Sequence, residues 1–149
     1  NGAVYPPLEG VGLYESTPEE IFSEADIFSL HLPLSDETNY LVNDSFIHRF
    51  KKNIYLINTS RGQIVKTDDL VKNLKSGKVL GACLDVLEYE KSSFEAMSPS
   101  GGGQGGGQSL QYLKSSDKVI LTPHIAGWSF ESGEKMAKIL AEKIIALKK

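Results

Sequence analysis

Short apolar segments alternate with amphipathic segments along this chain, and this alternation limits the possible folds most strongly. The first three apolar segments begin about 27 residues apart, which leaves room for one helix in each interval. Such spacing favours right-handed βαβ units, a parallel sheet and therefore an α/β fold. Because the segments are apolar throughout, we expect helices to cover both faces of the sheet. The predicted strands are Asp26–Leu32, Ile54–Ile57, Val79–Val86 and Val119–Leu121.

Capping signals predict where the helices begin. Thr17 can cap a short helix that runs to about Glu24, with Pro18 in its first turn and Glu20 completing a capping box. A short additional strand is expected near Val11–Tyr14. Further helices are predicted over Asn43–Phe50, capped by Asn43 or Asp44; over Thr67–Leu74, capped by Thr67 and ended by Ser76-Gly77; and over Ser129–Lys149, which carries an apolar stripe.

A glycine- and glutamine-rich stretch interrupts this pattern at residues 98–109. It contains six of the 14 glycines and too few apolar residues to contribute to a core, so we predict a flexible loop. It is either an engineered linker or a natural low-complexity insert. Gly101, Gly103 and Gly106 match a dinucleotide-binding fingerprint formally, but no strand precedes them, so we give the match no weight.

Composition narrows the functional class. The 149 residues suffice for one domain, 40% of them are apolar, and the net charge of −3 argues against a nucleic-acid-binding protein. The apolar runs are too short to span a bilayer, and no signal peptide opens the chain. The single cysteine, Cys83, excludes an internal disulfide and is predicted to be a core residue. These features predict a cytoplasmic protein.

Three residues at the ends of successive strands could perform chemistry together. Arg61 offers a planar guanidinium suited to a carboxylate, and His124 is a natural acid or base near neutral pH. A carboxylate such as Glu90 would orient a histidine and favour its protonated form. Each residue alone could be an ordinary surface group; their common position at strand ends favours a site for a 2-oxo acid. His31 is more simply a structural residue, and His48 an exposed one.

Four motifs identify a family when taken in order: ADIFSLHLPLSDET, INTSRGQIV, LKSGKVLGACLDVLEYE and VILTPHIAGWSFES. From about Ser16 to Ala146 the chain resembles the C-terminal part of the NAD-dependent D-2-hydroxyacid dehydrogenases, which include D-lactate and D-3-phosphoglycerate dehydrogenases. The resemblance implies a Rossmann-like NAD-binding domain and hydride transfer between NAD and a 2-hydroxy or 2-oxo acid.

The resemblance also assigns roles to individual residues. Arg61 corresponds to the arginine that binds the substrate, His124 to the catalytic histidine, and Glu90 to the glutamate that pairs with it. Glu88 is the rival for that last role, and the family spacing favours Glu90. The cofactor-binding positions implied are Leu32, Pro33, Thr59, Ser60, Arg61, Asp85, His124, Ala126 and Gly127.

The chain departs from the family pattern in several places. The first strand of the dinucleotide-binding half, its glycine-rich turn, its ribose-binding strand and the separate substrate domain are not in this sequence. Lys91 stands where many members have proline. We therefore expect residues 1–149 to form a partial dinucleotide-binding domain, inactive alone. The strand Asp26–Leu32 should form an exposed apolar edge, which predicts a homo-oligomer or pairing with a complementary fragment.

Two other functional classes fit parts of the sequence. A non-catalytic or engineered α/β scaffold derived from such an enzyme would explain the Gly/Gln stretch and the missing phosphate-binding turn. A regulatory protein that binds 2-oxo acids without redox chemistry would need Arg61 but no cofactor.

Overall fold

The computed structural model describes residues 15–89 and 106–146, which form one parallel sheet with helices. Its strands are β1 (Ile27–Leu30), β2 (Ile54–Asn58), β3 (Val79–Leu84) and β4 (Val119–Leu121). Its α-helices are α1 (Pro18–Glu24), α2 (Asp44–Ile47), α3 (Thr67–Ser76), α4 (Gly106–Ser115) and α5 (Phe130–Ala146), and a 3-10 turn covers Gly62–Ile64.

The four strands are all parallel and stand in the order β1-β2-β3-β4, which confirms the predicted α/β fold with a parallel sheet. Successive strands advance in one direction across the sheet. Right-handed crossovers therefore bring the connecting helices α2, α3 and α4 to the same face. Strand β1 lies at an edge of the sheet, as expected.

The two faces of the sheet differ in burial. On the helix-covered face, Leu30, Ile54 and Leu56 are at most 1% exposed. On the opposite face, which we call the open face, Ile27, Tyr55 and Ile120 are 62%, 51% and 63% exposed. The expectation that helices cover both faces is therefore wrong for the described residues: apolar composition showed what the strands could bury, but the helices that pack in this chain lie on one side only.

An aromatic cluster closes the core beside β1. The ring of Phe22 from α1 contacts those of Phe46 and Phe50 edge-on, with centroids 5.1 and 4.8 Å apart, and Phe28 of β1 completes the group. Edge-to-face contacts of this kind add stability beyond the area that they bury. They attach α1 to the helix-covered face.

Strand β3 contains one extra residue relative to β2. Ile54 pairs with Val79, but the next residue, Tyr55, pairs with Gly81. Leu80 has no partner in this register and is 40% exposed. The shift is of the β-bulge type.

The helix starts were predicted with mixed success. Thr17 and Glu20 form the expected capping box of α1, and Asn43 caps α2, which ends at Ile47 rather than Phe50. The prediction that Thr67 caps α3 is wrong, because Thr67 is the first helical residue and its N–H is satisfied by a distant carboxylate, that of Glu88. Gly77 ends α3 in the left-handed conformation, with φ of 80°.

Helix α4 corrects the predicted loop over residues 98–109. The helix begins at Gly106, so residues 106–109 are helical rather than part of a loop. Leu113 of α4 is 1% exposed, and Ser109 donates a hydrogen bond to Asp68 of α3 at 2.5 Å. Packing on α3 thus outweighs the low helix propensity of the glycines. Residues 98–105 and the predicted strand Val11–Tyr14 lie outside the described residues.

Helix α5 matches the predicted C-terminal helix through Ala146 but buries none of its described side chains. Its apolar stripe includes Met136 and Leu140, which are 65% and 60% exposed. Within residues 15–89 and 106–146, none of the helices combines the length and the apolar character needed to cross a membrane.

Candidate functional site at the carboxyl edge of the sheet

Register places the candidate residues at one edge of the sheet. Asn58, Leu84 and Leu121 are aligned as neighbours across β2, β3 and β4, and each is the last residue of its strand. Arg61 and His124 each follow three residues after such an end. Adjacent strands lie about 4.8 Å apart, so β2 and β4 are separated by about 10 Å. Two long side chains across this gap can reach one small molecule.

The loop that carries Arg61 is held by a buried asparagine. The side chain of Asn58, only 1% exposed, accepts from the Ser60 N–H and donates to the Arg61 carbonyl, both at 3.0 Å. The guanidinium donates to the Ser60 carbonyl at 2.7 Å and is otherwise exposed. The structure therefore presents the charge of Arg61 at the surface on a fixed backbone.

The Ser60 hydroxyl joins the ends of β1 and β2. It donates to the Leu30 carbonyl at 2.7 Å and accepts from the Leu32 N–H at 3.1 Å. These two bonds satisfy the hydroxyl within the protein and fix the backbone that leads to the exposed Leu32 and Pro33. Ser60 thus shapes the edge on which Leu32, Pro33 and the exposed Thr59 present their surfaces.

Gly62 permits a close backbone approach beside Arg61. A Cβ built on Gly62 would lie 2.0 Å from the carbonyl carbon of Leu87, far inside van der Waals contact. The segment that follows β3 therefore crosses directly over Gly62. Only glycine fits here, and the contact links the position of Arg61 to that of residues 87 and 88.

His124 lies in a tight turn with left-handed backbone geometry. Its φ is 54°, a conformation that costs a non-glycine residue about 1–2 kcal/mol and persists where surrounding contacts impose it. Its N–H donates to the carbonyls of Asp85 at 2.9 Å and Thr122 at 3.1 Å. The residue is exposed, so the turn presents the histidine at the carboxyl edge.

Asp85 provides most of the contacts that impose this turn. The side chain is 4% exposed; Oδ1 accepts from the Thr122 hydroxyl at 2.5 Å and the Ile125 N–H at 2.9 Å, and Oδ2 accepts from the Ala126 N–H at 2.9 Å. Burial raises the pKa of Asp85, but these hydrogen bonds and the nearby His124 outweigh it and leave the pKa below its ordinary value. Asp85 is therefore held as a carboxylate.

The structure describes only one of the two candidate glutamates. Glu90 lies outside the described residues, so its predicted pairing with His124 stays a prediction. Glu88 accepts a hydrogen bond from the Thr67 N–H at 2.8 Å, which satisfies the first turn of α3. It also bonds the Tyr40 hydroxyl, which raises the pKa of that phenol. Glu88 therefore has a structural role in the fold.

The edge suits part of a dinucleotide. Leu32, 40% exposed beside Pro33, offers an apolar surface for a planar ring, and the exposed Thr59 and Arg61 offer polar groups nearby. The Ser60 hydroxyl and the Asp85 carboxylate are largely engaged by the protein itself. Among the described residues, no group of three or more His, Cys, Asp or Glu side chains could hold a metal ion.

Sequence reasoning missed three residues that build this site: Asn58, Gly62 and Thr122. A polar residue directly after an apolar strand, as at Asn58 and Thr122, was the available signal.

Cys83, predicted as a core residue, is half-buried, and its register places it on the open face. His31 bonds Ser29 at the end of its own strand, consistent with a structural role, and His48 is exposed at the end of α2, as predicted.

Comparison with known proteins agrees with the fold. The family model "D-isomer specific 2-hydroxyacid dehydrogenase, NAD binding domain" matches residues 6–126. A glyoxylate reductase from Thermofilum pendens is 38% identical over 131 residues, which are 88% of this chain and 34% of that protein. A glyoxylate reductase from Pyrococcus furiosus is 36% identical over 148 residues, 99% of this chain and 36% of that protein. The chain thus spans about a third of the length of these relatives.

Solved structures give the same result. A D-lactate dehydrogenase from Aquifex aeolicus, complexed with NAD and lactic acid, superposes with a TM-score of 0.71 at 33% identity, covering 89% of this chain and 40% of that one. An NAD complex of the D-isomer specific 2-hydroxyacid dehydrogenase from Lactobacillus delbrueckii ssp. bulgaricus gives 0.71 at 32% identity, covering 90% and 41%. With its parallel sheet and a match to the family's NAD-binding domain over residues 6–126, the chain belongs to the D-isomer specific 2-hydroxyacid dehydrogenases.

Proposed function

We propose that the protein to which this chain belongs transfers hydride between NAD(H) and a small 2-hydroxy or 2-oxo acid. One observation carries the proposal: Arg61 and His124 follow aligned strand ends at equal distances, with β3 alone between their strands. This spacing suits a molecule with a carboxylate at one end and a carbonyl beside it. The names of the relatives, glyoxylate reductase and D-lactate dehydrogenase, support that substrate class.

Each residue has a distinct chemical role in this proposal. The Arg61 guanidinium binds the substrate carboxylate through paired hydrogen bonds. His124 gives a proton to the carbonyl oxygen during reduction and takes one from the hydroxyl during oxidation. Glu90 orients the imidazole and favours its charged form. The bound dinucleotide supplies or accepts the hydride at the substrate carbon.

Cofactor contact is assigned to the exposed surfaces of the carboxyl edge. We propose that Leu32 and Pro33 flank the adenosine side, while Thr59, Ala126 and Gly127 border the nicotinamide side. Ser60 and Asp85 contribute by fixing the backbone of these loops, as their hydrogen bonds indicate.

A titration with NADH tests the cofactor site. Trp128 is the only tryptophan, lies four residues after His124 and is 83% exposed, so its fluorescence reports on the edge. Saturable quenching would show that this chain binds the cofactor without the phosphate-binding turn; a midpoint of about 1 μM would correspond to about −8 kcal/mol. No change up to millimolar NADH in a folded sample would contradict cofactor binding by this chain and favour the non-catalytic scaffold.

Substrate binding is tested separately with glyoxylate as the probe. Arg61→Gln should weaken glyoxylate binding at least about tenfold, because it removes a charged hydrogen-bond donor. Arg49→Gln is the matched control, since Arg49 lies on the aromatic cluster and contacts Phe22. Equal effects of the two substitutions would contradict the assignment of Arg61.

A non-catalytic scaffold is the second candidate, and the unburied apolar surfaces of the open face and α5 favour it.

We also propose that the chain self-associates or pairs with a complementary segment through edge strand β1. Sedimentation velocity at high concentration should show species larger than a monomer; a strictly monomeric sample would contradict this. The free thiol of Cys83 supports a reducing, cytoplasmic setting.

A further inference from the structure

The segment 122–126 is organised around a single side chain from the neighbouring strand. Asp85 directly follows β3, while the segment follows β4. The carboxylate accepts hydrogen bonds from the residue two positions before His124 and from the first and second residues after it. The Asp85 carbonyl accepts from His124 itself. One residue thus contacts the turn before, at and after the histidine.

The backbone of Asp85 is fixed from the other side. Its N–H donates to the Asn58 carbonyl at 3.0 Å, and Asn58 in turn holds the Arg61 loop. A continuous set of hydrogen bonds therefore runs from the Arg61 loop through Asn58 and Asp85 to His124. The separation between the two proposed functional residues is set along this path.

The turn uses most of the acceptor capacity of the carboxylate. A carboxylate offers about four acceptor positions, and three are occupied by residues of the same turn. The side chain is 4% exposed, and one acceptor position remains for a molecule bound at the edge. The action of Asp85 on the turn is therefore built into the fold, whether or not the remaining acceptor position contacts a cofactor.

We propose that Asp85 is a positioning residue: its carboxylate keeps the 122–126 turn closed and holds His124 in the left-handed conformation that presents the imidazole opposite Arg61. This inference rests on the proposed role of His124 in proton transfer. It adds to the role implied by the family resemblance, in which Asp85 is a cofactor-binding position.

The test is nuclear magnetic resonance on the 149-residue chain and its Asp85→Asn variant. The amide of asparagine keeps one acceptor but turns a donor toward the N–H and O–H groups of the turn. We expect amide exchange at Ile125 and Ala126 to accelerate at least about tenfold. The 13Cα and 13Cβ chemical shifts of His124, which depend on φ, should move toward random-coil values.

Asp44→Asn is the matched control. Asp44 also accepts side-chain hydrogen bonds, from Lys72 and Asn73 at 2.8 Å, but these partners belong to α3 rather than to the 122–126 turn. Its replacement should lower stability and leave the His124 shifts unchanged. His31 and His48 serve as internal references in both variants.

Thr122→Val is a second variant that tests the proposal if Asp85→Asn does not fold. The substitution removes one donor to the carboxylate with little change of shape, so it should produce a smaller change of the same kind at His124. The proposal is overturned if either folded variant leaves the His124 shifts and the exchange of Ile125 and Ala126 as in the unmodified chain.

Cofactor titration of the same variants separates this proposal from the proposed function. Weaker NADH binding by Asp85→Asn with an unchanged His124 turn would indicate direct cofactor contact and overturn the positioning role. An altered turn in a chain that never binds NADH would support positioning while contradicting cofactor binding by this chain.

Discussion

The two faces of the sheet have similar apolar strands and opposite surroundings. Neighbouring residues of β2 show this most directly: Leu56 is 1% exposed beneath the helices, while Tyr55 is 51% exposed on the open face. Burial in this chain is therefore decided by topology rather than by the composition of the strand. The same contrast separates the carboxyl edge, where buried polar groups have partners from several strands, from α5, which buries no side chain.

Truncation of one residue on each face should produce the largest difference. Leu56→Ala removes a buried side chain from the middle of the core and should cost about 2–5 kcal/mol of unfolding free energy. Tyr55→Ala should cost about 1 kcal/mol or less, because its ring is half exposed already. Urea denaturation followed by circular dichroism measures both. Similar losses would show that something covers the open face in solution.

A pair of glycines sharpens the contrast between packed and unpacked regions. Gly62→Ala forces a Cβ into the Leu87 carbonyl and should cost about 1–3 kcal/mol or more. A Cβ added by Gly133→Ala in α5 meets nothing within 4 Å. The substitution should therefore stabilise the helical state of α5, by up to about 1 kcal/mol. Thermal unfolding of the two variants provides the comparison; a stable Gly62→Ala chain would contradict the close approach.

Acid should weaken the anchored edge through Asp85. Its folded pKa lies below the ordinary 3.8, so the ionised form stabilises the fold above that pH and this contribution is lost as the pH falls through the folded pKa. Asp85→Asn should therefore cost about 1–3 kcal/mol near pH 7 and progressively less below pH 3.8. Urea titrations at several pH values test this. A cost that does not vary with pH would indicate that shape rather than charge matters.

Hydrogen exchange should reveal the smallest stability in α5. A helix of 17 residues that buries none of its described side chains is marginal in water, so its amides should exchange nearly as fast as those of an unfolded chain. The amides of β2 should be protected close to the global unfolding limit. Strong protection throughout α5 would mean that its apolar stripe is covered, by another copy or by a partner.

Local signals predicted those parts of the fold that local interactions decide. The capping box at Thr17 and the strand cores were predicted because a few neighbouring residues determine them. The start of α4 was missed because Gly106 and Gly107 disfavour a helix, and the packing of Leu113 that stabilises it is long-range. The Thr67 prediction failed for a related reason: the group that satisfies α3 is Glu88, 21 residues away.

The candidate site was predictable as a set of residues but not as an arrangement. Strand-end positions and the family motifs were sufficient to single out Arg61 and His124. The role of Asp85 depends on contacts 37 to 41 residues apart, which no periodicity in the sequence encodes. The left-handed backbone of His124 follows from those contacts and was equally hidden.

The extra residue at Leu80 has a consequence for the whole edge. Side chains alternate along a strand, so one inserted residue reverses the phase of everything that follows it. Here Val79 pairs with Ile54 and Gly81 with Tyr55, so the bulge takes up Leu80 and leaves Gly81 and Cys83 on the open face. If Leu80 paired with Tyr55 in a regular ladder, Gly81 and Cys83 would point at the helices, and Asp85 would arrive on the opposite side of the strand from its present one. Losing the bulge while keeping Leu80 would therefore give the core and the histidine turn the wrong side chains without any change of composition, whereas deleting Leu80 would leave every later residue on its present face.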